Sequence, residues 1–216
     1  MGERKESQSK YLAIIVDVVK SRELPDRGEF QKRLKRSISR VNDEFYASIA
    51  SNFVLTIGDE FQGLLNRAEK IPQLLAVIRS EIHPIEPRVG IGIGGLDTAI
   101  EPDAIGMDGP CFHRARNAIE RAKSSETSIE VETGYLNDAF RIYALLYSSL
   151  RNQWTTRQKQ VFDLAMMGMP GKKVAKQLGI TPSAVSQHLG AVEANAIFDA
   201  TQIWVDALIR TYNSVE

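Results

Sequence analysis

Tyr11 to Val19 is an almost continuous apolar run, and it admits few environments. Such a run suits a central strand covered on both faces. Asp17 interrupts it, and a carboxylate inside a β-branched run is costly to bury without a partner. Leu55 to Phe61 repeats the theme: an apolar segment broken at Gly58-Asp59. Phe53–Ile57 and Phe61–Leu65 then read as two strands joined by a short connection, a hairpin.

Between these strands, Phe30, Leu34, Ile38, Val41 and Phe45 mark one face of an amphipathic helix over Arg27–Phe45. Ile71 to Ile82 is a second helix, entered at Pro72 and ended before Pro84. Arg88 to Leu96 alternates Gly with Val and Ile, a strand that a backbone or ligand can approach closely. Cys111 to Lys123 is a third helix, Ile129–Val131 a short strand, and Leu136–Leu150 a further helix. The order β-α-β-β-α-β is that of the split βαβ, ferredoxin-like pattern. The fold class expected is α+β for residues 1–150.

A shift in composition follows Leu150, where Arg151–Gln153 reads as a polar joint. Residues 151–216 form the second expected domain, all-α. Thr155 and Gln158 have capping-box spacing ahead of Val161 and Leu164. Lys172–Leu178 is a short helix with Gly179 as the turn. Thr181 caps the next helix, with Pro182 in its first turn. Small Ala175 lets the two helices approach, while Ile180 and Val185 lock the angle from the core side, a helix-turn-helix. The second helix presents Ser183, Ala184, Ser186, Gln187 and His188 to base edges, and Gln187 can pair with adenine. Lys172, Lys173 and Lys176 suit phosphates. Such pairs also serve as protein-docking modules. Ile203, Trp204, Ala207 and Leu208 continue a helical pattern that fits either a homodimer interface or packing on the first domain. A fragment from Arg151 to Glu216 is expected to keep most of the DNA affinity.

Formal net charge is zero over 216 residues, so any nucleic-acid surface must be local. It is: residues 151–193 hold Arg151, Arg157, Lys159, Lys172, Lys173 and Lys176 against Asp163 and Glu193. The single Cys111 excludes an internal disulfide and a cysteine-based zinc cluster. Met1–Lys10 lacks an apolar core of the signal-peptide kind, and no apolar stretch approaches bilayer length. The expected setting is cytoplasmic, away from membranes.

Val54-Leu55-Thr56-Ile57-Gly58-Asp59 resembles the hairpin of class III nucleotidyl cyclases, and Gly58-Asp59-Glu60-Phe61 that of diguanylate cyclases. Arg88-Val89-Gly90-Ile91-Gly92-Ile93-Gly94 and Gly109-Pro110-Cys111-Phe112 resemble two further cyclase segments, the resemblance covering residues 11–133. It implies a nucleotidyl-cyclase-like fold in which Asp17 and Asp59 occupy neighbouring strand ends and hold Mg or Mn. Hydrogen-bonded turn acids are the other reading of that pair, and Glu60 is either a third ligand or a salt-bridged edge residue. Lys20, Ser21 and Arg22, with Gly58 and Arg88, would hold a nucleotide or its phosphates; a plain surface loop is the alternative for 20–22. The sequence departs from the cyclases where they read the purine (Leu55 and Gly106) and act on the transition state (His113 and Asn117). Little or no cyclase chemistry is therefore expected. Asp17-Val18-Val19-Lys20-Ser21-Arg22 and Gly58-Asp59-Glu60-Phe61-Gln62-Gly63 resemble two blocks of the SatD family, which combines such a region with a helix-turn-helix tail. That tail is similar to sigma-factor region 4 and to LuxR-like response regulators. The function expected is a DNA-binding transcriptional regulator with a nucleotide- or metal-sensing first domain. The alternative is a metal-dependent nucleotide-transforming enzyme with a docking tail.

Overall fold

A computed structural model describes residues 10–18, 26–134 and 138–214. The five strands are β1 (Tyr11–Val18), β2 (Ile49–Leu55), β3 (Phe61–Leu65), β4 (Pro87–Gly94) and β5 (Ile129–Glu132). They form one mixed sheet in the order β2-β3-β1-β4-β5, parallel only between β4 and β5. With α1 (Arg27–Glu44) and α2 (Ile71–Ile82), the first four strands have the interlocked order of a split βαβ arrangement. β2 starts four residues before the expected Phe53. Residues 49–52 are not an alternating apolar pattern, and their pairing with β3 is irregular.

Strand alternation sorts the core into two sides. Leu12, Ile14, Val16 and Val18 of β1 join Val89, Ile91 and Ile93 of β4 under α1 and α2. Ala13 and Ile15 face α3 (Pro110–Ser125). On that side β4 presents Gly90, Gly92 and Gly94. A Cβ at Gly90 would lie under 3.0 Å from the Ala115 carbonyl and the Ile119 nitrogen; at Gly92 it would meet the Cys111 carbonyl and the Ala115 nitrogen equally closely. The approaching group is thus the α3 backbone itself.

α4 (Asp138–Gln153) runs straight through the segment expected to be a polar joint. Arg151 is 2% exposed and donates to both carboxylate oxygens of Asp163 at 2.9 and 2.7 Å. It also reaches Glu86 at 3.1 and 3.3 Å. A residue that reads as solvated linker is the hub between α4, α5 (Thr156–Met166) and the turn before β4. Glu86 is held below the usual carboxylate range: burial would raise it, and Arg151, Arg79 and Lys159 together outweigh burial. It therefore favours the folded state above the ordinary glutamate value of about 4.3 and loses that effect as pH falls. Acid unfolding followed by circular dichroism should begin at higher pH in Glu86→Gln than in the wild type, because the variant lacks that contribution throughout.

α6 (Gly171–Leu178) and α7 (Pro182–Ala191) follow, then α8 (Ala194–Ser214). At its start α8 packs Ala194 and Ile197 near Phe162 and Val192. Further along, Trp204, Val205 and Leu208 enter the main core. Near its end the Tyr212 hydroxyl donates to the carbonyl oxygen of Lys10, beside β1, at 2.8 Å. Of the two readings of the last helix, packing on the first domain accounts for Trp204 and Leu208, whereas Ile203 stays exposed. A cut at residue 151 would bare that apolar face of α8. No helix among the described residues is long and apolar enough to cross a membrane.

Candidate functional site

Two surfaces carry the chemistry-bearing residues. The first is the end of the sheet where β1 finishes, beside the β2–β3 turn. Asp17 is paired with Arg88 across β1 and β4. Continued one step past Val16–Phe61, the register with β3 sets Asp17 opposite Glu60. Opposed residues of antiparallel strands share a face, here the face of α3. There Lys123 Nζ lies 4.0 Å from Asp17 Oδ1. Arg116 grips Glu60 with two hydrogen bonds of 2.7 Å. Arg116 and Lys123 are seven residues apart on α3, two turns along one helix face.

Asp59 turns the other way. Gly58, at φ +66, makes the tight turn that glycine allows without strain. Asp59 is buried, accepts from the Gln31 side-chain amide, and lies 3.9 Å from an Arg27 amino group. Those partners belong to α1. The expected pair, Asp17 with Asp59, therefore occupies one end of the sheet but not one face of it. The physical reason is the alternation of side chains across the pleat. Glu60 is the salt-bridged residue of its two readings.

Electrostatics follow the contacts. Burial lifts the Asp17 carboxyl above its ordinary value; Lys123 opposes that shift and the nearby Glu60 adds to it. Burial would also raise Glu60, but the hydrogen bonds and charge of Arg116, with Lys123 and Thr56, together outweigh it and hold Glu60 below the usual range. Among the described residues no group of three or more His, Cys, Asp and Glu is arranged to hold a metal ion. The acids present are already compensated by Lys123, Arg116 and Arg27. As arranged they do not fit a two-metal centre, since an ion would have to displace those cations.

Arg88 is half-buried and Gly58 is exposed at the turn. Lys20, Ser21 and Arg22 lie outside the described residues. At the positions where cyclases handle their substrate, Leu55 packs on the main core and His113 sits 3.1 Å from Asp108. Asn117 is exposed. Arg116, which lies beside the position of the cyclase arginine at Asn117, was visible in the sequence, but its pairing with Glu60 was not, and Lys123 escaped the reading; their seven-residue spacing on one helix was the available signal.

The second surface is α6–α7. Thr155 and Gln158 complete the capping box of α5. Gly179 ends α6 at φ 65, and the Thr181 hydroxyl accepts from Ala184 N. Val174, Ala175 and Val185 join Val161 and Leu164 in a small core, with Ile180 against it. That leaves Lys172, Lys173, Lys176, Thr181, Ser183, Ser186 and Gln187 exposed, and Ala184 and His188 half-buried. Lysines lie on the first helix and small or amide side chains on the second, side by side.

The model of one family, the SatD family, matches residues 11–204. Among solved structures, one described as the structure of a bacterial light-regulated adenylyl cyclase is 13% identical with a TM-score of 0.45. That match covers 69% of this chain and 83% of the other. No curated protein matches the chain.

Proposed function

The chain belongs to the SatD family, and from that premise we propose that it is a DNA-binding transcriptional regulator. In this reading α6 and α7 form a helix-turn-helix that binds DNA, and the first domain is nucleotidyl-cyclase-like and sensory. The observation that supports it best is the sorting of α6–α7. Every large apolar side chain there turns inward, and the exposed set includes three lysines, small hydroxyls and two amides, Gln177 and Gln187. Lys172, Lys173 and Lys176 would contact phosphates, which position without reading sequence. Ser183, Ser186 and Gln187 would face the base edges in the major groove.

The test is fluorescence anisotropy with labelled genomic fragments. Lys172→Ala with Lys176→Ala should weaken binding to all sequences, and each lost contact should lower the slope of log K against log salt by about 0.9. Gln187→Ala should instead relax preference at one position by about 1–3 kcal/mol. No binding by the wild-type protein at low salt would leave α6–α7 as a protein-docking module and end the regulator reading.

The sheet end supports sensing better than turnover, because Glu60 and Arg116 already satisfy each other. Mg or Mn at Asp17 and Asp59, the pair expected to hold it, would have to displace Lys123 and Arg27. Millimolar manganese is expected to leave the melting temperature unchanged within about a degree. A rise of several degrees, lost in Asp17→Ala, would restore a metal-sensing role. Manganese-dependent conversion of ATP or GTP, abolished by Asp59→Ala, would favour the enzyme reading instead.

A further inference from the structure

A cleft of about 850 Å³ adjoins the second surface and shares only Lys173 with it. It lies at the far end of α1 from Asp59, between the β3–α2 connection and the loop joining α5 to α6. Its volume falls in the range of small-molecule sites, about 300–1,000 Å³. Arg67 and Lys70 enter it from the α/β side and Lys173 from α6. Among the described residues none of these three has an acidic partner. Arg40, on the same wall, is by contrast already held by Glu44 and Glu81.

The rest of the lining includes the carboxylates Glu44, paired with Arg40, and Glu69. Phe45, Met167 and Met169 supply an apolar surface. Methionine and aromatic side chains adapt well to a flat ring. Gln73 also lines the cleft, and its buried Oε1 has no hydrogen-bond partner. A buried acceptor without a donor is costly, and an exocyclic amine would satisfy it.

We propose that this cleft binds a nucleotide. Its phosphates lie against Arg67, Lys70 and Lys173, its base lies on Phe45 and the two methionines, and a base amine donates to Gln73. Three unpaired cations, an apolar surface and an orphaned acceptor in one cavity match the three parts of that ligand. Lys173 is also one of the proposed DNA contacts. On the regulator reading, on which this last step rests, a bound nucleotide withdraws Lys173 from DNA and lowers affinity.

The experiment uses the full chain and a trinitrophenyl-labelled ATP whose fluorescence rises on binding. The expected result is saturable binding that unlabelled ATP displaces. It should weaken at least tenfold in Arg67→Ala with Lys70→Ala, while Lys35→Ala, which removes one exposed charge outside the cleft, leaves it unchanged. Circular dichroism checks that the variants fold. Absence of binding, equal binding by the double variant, or displacement by inorganic tripolyphosphate as effective as by ATP would each overturn the proposal. So would a double variant that loses DNA but keeps ATP, since the cleft would then be part of a DNA track. ATP binding by a protein that ignores DNA would support the cleft and remove the regulator reading; the reverse pattern would remove the cleft and keep the regulator.

Discussion

Arg151→Ala is expected to cost about 3–5 kcal/mol, the range for removing one partner of a buried ion pair. The guanidinium is enclosed by Asp163 and Glu86 and lies 5.7 Å from the centre of the Trp154 ring. Without it, Asp163 is a carboxylate at 2% exposure that has lost both of its Arg151 hydrogen bonds. Burial raises the Asp163 pKa even with Arg151 present. In the variant that carboxyl should rise further and take up a proton in the folded state. A group whose folded pKa lies above its unfolded value favours folding at low pH and loses that effect as pH rises. The deficit should therefore widen from about pH 4 toward pH 7. Urea unfolding at several pH values measures it. A loss below about 1 kcal/mol at pH 7 would mean that Asp163 is hydrated rather than stranded. Asp163→Asn in the same background should recover part of the loss, because it removes the stranded charge.

Gly92→Val should be nearly as damaging. The first added carbon would already crowd the Cys111 carbonyl and the Ala115 nitrogen, both main-chain atoms of α3. Main chain cannot rotate aside as a side chain does, so α3 must lift from β4 along its length. The expected cost is at or above the upper end of the usual overpacking penalty, about 3 kcal/mol. Gly190→Ala provides the contrast. A Cβ there meets nothing within 4 Å and the position is helical. It should gain up to about 1 kcal/mol from helix propensity. Thermal unfolding of the two variants beside the wild type tests both; a Gly92→Val protein melting within a few degrees of wild type would show that α3 is free to shift.

Where the sequence was informative, a period carried the information. β1 and β3 came through nearly to the residue because both runs are apolar and bounded by turn residues, and α2 because Pro72 and Pro84 frame it. The turn between α6 and α7 was readable from Gly179 and Thr181, whose local chemistry leaves little choice. Arg151 was misread for an equally physical reason. One-dimensional pattern treats Arg, Asn and Gln as solvent-facing, and the partners that bury this arginine lie 12 and 65 residues away. The division of Asp17 from Asp59 was hidden in the same way. Each acid is visible alone, but which face it takes depends on pairing register and on where the turn begins.

α8 bears on what can be inherited or engineered as a unit. Its first turns brace the helices that precede it, and its last turns are embedded in the sheet core and tied to the start of β1. A portable module joins its neighbours through a tether; this helical tail shares its interior with them. Grafting residues 151–216 onto another protein would transplant Trp204, Val205 and Leu208 without the surface that receives them, and the graft should aggregate. For the same reason α7 has no slack relative to the sheet. Among the described residues, α8 is thus the element that ties the helices before it to the sheet core.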